Sequence, residues 1–239
     1  MSTGVRTKGT KKTDNSVYEG DLLNGIPDGY GIMRYADGSS YEGQFLYGLR
    51  SGHGIYHFAN GQIHEGQYSN DRRNGHGIYR FPNGNVYEGN FYNGDFHGHG
   101  ILRYANGDVY EGDFSNNQKN GHGILRYANG HIYEGEFANG KRNGHGIYRF
   151  PNGEFFDGQY SNGTRNGYGK VTYPDGSSWE GPWKDGEKVQ YDYSWPDGSY
   201  YIGPTSNGKP DGIGKKFFPD GRVIKGLWQN GFFVYAAKD

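Results

Sequence analysis

Aromatic residues and glycines recur along the chain with a fixed step of 23 residues. An aromatic–acid–glycine triplet opens each copy, and a Gly-x-Gly triplet begins 11 residues after most of these openings. The openings are Tyr18, Tyr41, Tyr87, Tyr110, Tyr133, Phe156 and Trp179, with a variant at His64 and degenerate copies at Tyr201 and Ile224. A fixed period of this length is the signature of a repeat architecture in which each copy forms one supersecondary unit.

An Asn-Gly or Asp-Gly dipeptide separates the copies, as at Asn60-Gly61 and Asn83-Gly84. Such dipeptides between strands of alternating polarity are a strong hairpin signal. The sequence therefore predicts about ten tandem β-hairpins, each of which contacts mainly its neighbours. The predicted fold class is all-β, an elongated single-layer antiparallel sheet of solenoid-like repeats.

The predicted register takes the turn glycine as the centre of each hairpin. Around Gly84, this register pairs Arg80 with Glu88 and Gly77 with Phe91, so that every glycine faces an aromatic ring. Cross-strand pairs of these kinds each contribute about 0.2–1 kcal/mol, so their recurrence supports the register. One face of the sheet then carries aromatic and glycine columns, and the other carries acid, arginine, isoleucine and histidine columns. The same register gives four further ion pairs: Arg34–Glu42, Arg103–Glu111, Arg126–Glu134 and Arg149–Asp157.

The regularity of the repeats divides the chain into three parts. Residues 1–16 form a basic polar tail, and residues 17–186 form the regular repeat array. Residues 187–239 form degenerate repeats and a cap, since Val189 and Tyr191 stand where the eighth repeat should carry glycines.

Composition narrows the class of protein. The chain has 45 glycines and only 32% hydrophobic residues, but 17% of its residues are aromatic. A disordered chain would be poor in aromatic residues, so this mixture favours thin β structure. The net charge of −1 gives no general attraction to nucleic acid, and the absence of cysteine excludes disulfides and thiolate zinc sites. Without an apolar leader or a membrane-length apolar run, we expect a cytoplasmic protein.

The repeat unit resembles a known family. Tyr-Glu-Gly-x-Phe, followed by Gly-His-Gly-Ile-Tyr-Arg-Phe and Pro-Asn-Gly, is similar to the MORN (membrane occupation and recognition nexus) repeat, and the resemblance runs from Val17 to Gly231. It implies an elongated antiparallel sheet with an aromatic-lined groove. Members of the family include junctional membrane proteins, phosphoinositide kinases, a lysine methyltransferase, cytoskeletal scaffolds and ciliary radial-spoke heads. The enzymes among them carry separate catalytic domains, whereas repeats occupy nearly all of this chain, so we expect no enzyme.

Three patterns that mimic chemical sites are better explained by the repeat. Equivalent histidines or acids in successive hairpins lie about 9.6 Å apart, because two strands separate them, which is too far for one metal ion. Two G-x4-G-K stretches end at Lys141 and Lys209, but Arg142 and Pro210 follow where a phosphate-binding loop needs Ser or Thr. We therefore expect no catalytic residue, no metal and no cofactor.

Two surfaces remain as candidate binding sites. The first is an aromatic groove, represented by the rings of the most regular repeats: Tyr87, Phe91, Tyr110, Phe114, Tyr133 and Phe137. The second is a basic edge made by the loops: Arg50, Arg72, Arg73, Lys119, Lys141, Arg142 and Arg165. Exposed apolar strips usually bind partners, and basic edges attract acidic ones.

These surfaces lead to two functional hypotheses. The first is a non-enzymatic protein-binding scaffold in a cytoskeletal or ciliary assembly, of the radial-spoke kind that the resemblance implies. The alternative is a peripheral module that binds acidic phospholipid and tethers membrane to cytoskeleton. Partners would be other proteins, with acidic phospholipid as the alternative and no nucleic acid. Open sheet edges would also allow homo-oligomerisation.

Overall fold

The computed structural model describes residues 4–237, and all of the regular elements in this part of the chain are β-strands. The chain forms two compact units. Unit 1 comprises Met1–Ile132 and Phe137–Gly140, and unit 2 comprises Tyr133–Glu136 and Lys141–Asp239. The strand β12 (Ile132–Ala138) contributes residues to both units. The predicted all-β class is confirmed.

Unit 1 is a series of hairpins in which each strand pairs antiparallel with the next strand along the chain. Its strands are β1 (Arg6–Lys12), β2 (Ser16–Leu23), β3 (Ile26–Tyr35), β4 (Ser40–Leu46), β5 (Leu49–His57), β6 (Ile63–Ser69), β7 (Arg72–Arg80), β8 (Val86–Tyr92), β9 (Asp95–Arg103), β10 (Val109–Ser115) and β11 (Gln118–Arg126). The first strand lies within residues 1–16, which the sequence predicts as a tail. Its polar residues carry no aromatic signal, yet Gly9 faces Gly20 as glycines do in the repeats.

Unit 2 begins in the same way and then changes. The strands β13 (Lys141–Arg149), β14 (Phe155–Ser161), β15 (Thr164–Thr172), β16 (Ser178–Lys184) and β17 (Glu187–Lys188) pair consecutively. A five-stranded sheet follows, in the order β18 (Tyr193–Ser194), β19 (Tyr200–Ile202), β22 (Gly212–Phe217), β23 (Val223–Gln229) and β24 (Phe232–Ala236). Between β19 and β22, the strands β20 (Thr205–Ser206) and β21 (Lys209–Pro210) form a separate hairpin.

Two kinds of turn alternate along the hairpins. After each aromatic–acid–glycine strand comes a two-residue turn such as Asn93-Gly94, in which both residues have positive φ, 51° and 98°. This is the conformation that Asn-Gly favours in tight hairpins. Between repeats lies a three-residue loop, in which Gly84 has a φ of 89° and the Phe81 N–H donates to the Asn85 carbonyl at 2.9 Å. Such a loop is a turn followed by a glycine bulge. The hairpin is therefore centred on Asn83 and not on Gly84.

This loop geometry overturns the predicted register. Arg80 pairs with Val86 rather than with Glu88, and Gly77 faces Gly89 rather than an aromatic ring. The register moves by two residues, so every side chain keeps its predicted face while its partner changes. The assignment of aromatic and glycine columns to one face therefore survives, although the predicted pairs are wrong.

The ion pairs follow the observed register. Arg103 Nη1 lies 3.2 Å from Glu88 Oε2, on the preceding strand, and Arg34 Nη1 lies 3.0 Å from Glu19 Oε2. Arg126 lies 3.7 Å from Glu111 in the same relation. Among the described residues, none of the five predicted pairs is formed: Arg80–Glu88, Arg34–Glu42, Arg103–Glu111, Arg126–Glu134 and Arg149–Asp157.

The core of each regular hairpin is an aromatic ring, or His64 in the variant repeat, that lies over a pair of glycines. Gly112 faces Gly123, and a Cβ on Gly123 would overlap the ring of Tyr110. A bulge at Asp113 turns its carbonyl toward the same ring, and the Tyr110 hydroxyl donates to that carbonyl at 3.0 Å. The ring also meets Phe114 edge-on, with centroids 5.1 Å apart. One layer of strands can bury large side chains in this way because the glycines leave the backbone bare beneath the ring.

Candidate binding face

The structure places the six predicted groove residues in the core rather than on the surface. Their side chains are 0–4% exposed: Tyr87, Phe91, Tyr110, Phe114, Tyr133 and Phe137. Each tyrosine ring covers glycines, and each phenylalanine packs edge-on against tyrosines. Their role in binding is untested, but the folded protein itself covers these side chains. A partner must therefore meet other residues on this face.

A second row of rings on the same side of the sheet is partly exposed. In unit 2 this row includes Tyr148 and Phe150, whose centroids are 4.9 Å apart. In unit 1 it includes Tyr56 and Phe58, whose centroids are 4.4 Å apart. These rings stand at the end of the second strand of each hairpin, in the Ile-Tyr-Arg-Phe part of the repeat. Sequence reasoning named the covered row and missed this one, although both follow the 23-residue step.

Cationic side chains lie among these rings at a 23-residue spacing. The Arg142 guanidinium carbon is 5.3 Å from the Tyr148 ring centroid and 5.2 Å from that of Tyr160. At these distances, cation–π attraction contributes about 0.5–2 kcal/mol. The residues at this position that lie over rings are Arg50, Arg73 and Lys119 in unit 1, and Arg142, Arg165 and Lys188 in unit 2. We call the partly exposed rings and these cations the ring-and-cation face of each unit.

The predicted basic edge therefore splits into two groups. Arg50, Arg73, Lys119, Arg142 and Arg165 are partly buried on the ring-and-cation face. Arg72 and Lys141 precede two of these residues, and they are exposed. Because neighbouring residues of a strand point to opposite faces, the two groups do not share one surface. The sequence treated both groups as one loop rim.

The cations differ in what neutralises them. Arg50 binds Asp71, with its Nε 3.1 Å from the carboxylate, and it also donates to the Asp71 carbonyl at 2.8 Å. Arg142 donates to the carbonyl of Gly163 at 2.6 Å. Among the described residues, no carboxylate lies within ion-pair distance of Arg142 or Arg165. Arg50 therefore has a neutralising carboxylate, whereas Arg142 and Arg165 in unit 2, like Arg73 in unit 1, have none among the described residues.

An open pocket separates these two guanidinium groups. Its lining includes Arg142, Arg165, Tyr148, Phe150 and Tyr160. Tyr160 is 4% exposed, and burial raises the pKa of its hydroxyl to about 12, so the group stays neutral. The pocket thus offers two cations, aromatic walls and no anion of its own. It is a shallow binding surface rather than an enclosed reaction chamber.

The opposite face carries the acid, arginine and histidine columns. His145 Nε2 lies 2.7 Å from Asp157 Oδ1, and His99 Nδ1 lies 3.9 Å from Asp113 Oδ1. These pairs are exposed and lie on separate hairpins. Within residues 4–237, no group of three or more His, Asp or Glu side chains is placed to hold a metal ion. The described part of the chain likewise has no helix long and apolar enough to span a membrane.

Tandem antiparallel hairpins, most of them with a ring over a glycine pair, define a β-repeat protein. Comparison with known families gives the same class. The model of the MORN repeat matches residues 18–40, 41–63, 64–86, 87–109, 110–132, 133–155, 156–178 and 206–221. The chain therefore belongs to the MORN repeat family. Residues 179–205, which lie between the last two matches, contain the eighth repeat, which lacks its Gly-x-Gly triplet. No curated protein matches the chain significantly.

Solved structures give only distant likenesses. The TCP10 domain of Danio rerio CPAP has a TM-score of 0.45 and 14% identity, covering 92% of this chain and 100% of that chain. The SAS-4 (dCPAP) TCP domain of Drosophila melanogaster, in complex with a proline-rich motif of Ana2 (dSTIL), has a TM-score of 0.41 and 16% identity. That match covers 72% of this chain and 88% of the other. These scores are too low to transfer a function.

Proposed function

We propose that this chain is a non-enzymatic scaffold that binds other proteins on its ring-and-cation face. The observation that carries the proposal is the repeated placement of Arg or Lys among partly exposed Tyr and Phe rings. Tyrosine, tryptophan and arginine are the residues that contribute most to protein–protein binding energy. Because the pattern repeats from hairpin to hairpin, the face suits a long partner rather than a small molecule.

Support for a non-enzymatic role comes from the arrangement of reactive groups. The histidine–acid pairs lie on the opposite face from the pocket between Arg142 and Arg165. No nucleophile with an adjacent base lines that pocket, and its walls are open. Binding without turnover is the function that this geometry supports best.

The cellular setting rests on the family alone. MORN arrays in cytoskeletal scaffolds and radial-spoke heads suggest that this chain acts in the cytoplasm, in a cytoskeletal or ciliary assembly. The proposal therefore includes partners drawn from such an assembly, and extract from ciliated cells is the appropriate source for testing it.

The test compares two double variants in a crosslinked pull-down from that extract. Tyr148→Ala/Phe150→Ala removes two rings of the ring-and-cation face. Tyr92→Ala/His97→Ala removes a matched exposed ring pair, 5.6 Å apart, from the opposite face of unit 1. We expect the first variant to lose a defined set of proteins that wild type and the control retain. Equal recovery by all three folded proteins would refute the proposal.

Acidic phospholipid is the second candidate, favoured by the exposed charges of Arg72 and Lys141. Each basic residue near an anionic membrane contributes about 1 kcal/mol, and salt screens this attraction. Arg72→Gln/Lys141→Gln should then abolish sedimentation with phosphatidylserine vesicles. Sedimentation that the variant leaves unchanged would reject this candidate. Self-association stays a further prediction: Phe232 and Val234 of the last strand β24 are 75% and 49% exposed.

A further inference from the structure

Three successive hairpins of unit 2 place a cation at the same position on the ring-and-cation face. Arg142, Arg165 and Lys188 stand 23 residues apart. The Arg165 guanidinium carbon lies 4.6 Å from the Phe156 ring centroid, and Lys188 Nζ lies 5.0 Å from that of Trp179. The positions of these cations are therefore set by the packing of the rings beneath them.

None of the three cations has a counterion in the described residues. Lys188 Nζ donates to the Tyr173 hydroxyl at 2.6 Å, and Arg142 donates to a backbone carbonyl. Within residues 4–237, no carboxylate lies within 4.0 Å of any of them, in contrast to Arg50, which has Asp71. Arg142 and Arg165 are partly buried, so they lose hydration that no neighbouring carboxylate compensates, whereas Lys188 is exposed. A carboxylate from a partner would compensate this lost hydration. The row can therefore serve as an anion-binding surface.

The spacing of the row matches an extended polypeptide. Equivalent residues of successive hairpins are two strands apart, or about 9.6 Å. An extended or polyproline-type chain advances about 3.1–3.3 Å per residue, so three residues cover about 9.3–10 Å. A segment that runs across the strands would therefore present every third side chain to a successive cation. The two intervening residues would lie over the partly exposed rings Tyr148, Phe150 and Tyr173.

We propose that Arg142, Arg165 and Lys188 bind an extended protein segment that carries Glu or Asp at every third position. This inference rests on the proposed scaffold function and specifies the chemistry of the partner. A lipid headgroup fits less well, because Arg142 and Arg165 are partly buried among rings instead of projecting from loops. Flexible carboxylate side chains can reach such recessed cations, and the flanking residues of the segment gain contact with the rings.

The test uses two fluorescent peptides of equal composition and charge with the full chain. The matched peptide is (Glu-Ala-Pro)₃, and the mismatched peptide is Glu-Glu-Glu followed by (Ala-Pro)₃. Fluorescence anisotropy should give a Kd for the matched peptide about tenfold lower than for the mismatched one. Arg142→Gln/Arg165→Gln should raise the Kd of the matched peptide at least tenfold. Lys141→Gln/Lys184→Gln removes the same net charge from exposed positions and should change it less than threefold.

Three results would overturn the inference. Equal affinities for the two peptides would show that charge alone is recognised, without the three-residue period. Equal effects of the two double variants would show that the row is not the site. If neither peptide binds, while Arg142→Gln/Arg165→Gln abolishes binding to phosphatidylserine vesicles, the row takes lipid instead. In each case the pull-down with Tyr148→Ala/Phe150→Ala reports separately whether the scaffold function stands. Circular dichroism melts confirm that every variant is folded.

Discussion

The repeat that begins at Tyr110 and the repeat that begins at Trp179 show what keeps this sheet regular. In the first, Gly112 faces Gly123, and the second strand of the hairpin, β11, runs from Gln118 to Arg126. In the second, β17 has only Glu187 and Lys188 before regular pairing ends. The two hairpins share the opening triplet and the cation, and they differ in the Gly-x-Gly triplet and in Pro182, which stands where the first has Asp113.

At Trp179 the ring no longer has a bare backbone on both strands. Gly181 keeps its place, but a Cβ there would contact both Trp179 and Tyr191, since the eighth repeat has no Gly-x-Gly triplet after Lys188 and the Tyr191 side chain lies against Gly181. The Tyr191 ring tilts against Trp179, 6.5 Å away, and its hydroxyl donates to the Glu180 carbonyl at 3.2 Å. The next repeat regains its glycines, and Tyr201 is again fully buried. The glycine pair therefore accompanies full burial of the ring, but it does not by itself give long strands, because β19 ends at Ile202, before Pro204.

Gly123→Ala should break the regular repeat most severely. The added Cβ would overlap the Tyr110 ring, and overpacking of a tight core costs about 1–3 kcal/mol or more. We expect a loss of about 3 kcal/mol in the free energy of unfolding, measured by urea denaturation. Gly186→Ala, where a Cβ meets nothing within 4 Å but φ is +93°, isolates the cost of backbone strain. A Gly123→Ala variant no less stable than Gly186→Ala would contradict the role of the glycine pair.

The variant repeat at His64 should be sensitive to acid. Burial, with Arg73 nearby, lowers the pKa of His64 to about 3, so the ring stays neutral while the unfolded chain takes up a proton below about pH 6.5. The stability is complete above pH 6.5 and falls as the pH drops, by about 2–3 kcal/mol at pH 4.5. His64→Phe copies the natural Phe156–Tyr160 pair, since Tyr68 holds the same place beside His64.

Denaturation at pH 7.5 and pH 4.5 measures this effect in both proteins. The loss between the two pH values should be about 2–3 kcal/mol smaller for His64→Phe than for wild type. Parallel losses in the two proteins would show that His64 is not responsible.

Tyr110→Phe tests the hydroxyl that closes the regular hairpin. The variant loses the bond to the Asp113 carbonyl and keeps the ring over the glycines, as Phe156 does in its own repeat. We expect a loss of about 1 kcal/mol in the free energy of unfolding. Thermal melting checks the value, and an effect as large as that of Gly123→Ala would show that the hydroxyl, not ring packing, dominates.

The smallest effect concerns the register. A double-mutant cycle between Arg103 and Glu88 should give a coupling of about 0.2–1 kcal/mol, because the pair is exposed. The cycle between Arg103 and Glu111 should give no coupling. The reverse result would restore the register with Gly84 at the centre of its hairpin.

Much of the fold follows from the 23-residue step and the alternation of residues along a strand. These two patterns assign the repeated aromatic and glycine columns to one face, whichever register the hairpins adopt. The register itself depends on which turn residue takes positive φ, and the dipeptide Asn83-Gly84 does not reveal that Asn83 keeps negative φ. The strand β1 was missed because Arg6–Lys12 contains no aromatic residue.

The candidate site was predictable only in part. The sequence identifies the aromatic columns and the cations, and both lie on hairpins as expected. The sequence does not reveal which of the two aromatic rows is buried. The Tyr110 row is buried because of the bulge at Asp113 and the glycines that lie beneath the ring. That burial comes from packing between strands. Strand alternation does imply that Lys141 and Arg142 face opposite ways, a point missed when both groups of basic residues were treated as one loop rim.

Photo-crosslinking from Tyr148 tests the central claim most directly. The full chain would carry p-benzoylphenylalanine at position 148, on the partly exposed ring row of unit 2, or at position 92, on the opposite face of unit 1. After irradiation in extract from ciliated cells, the account predicts protein adducts from position 148 and none of the same partners from position 92. Adducts that form from position 92 but not from position 148 would show that the ring-and-cation face is not the binding surface.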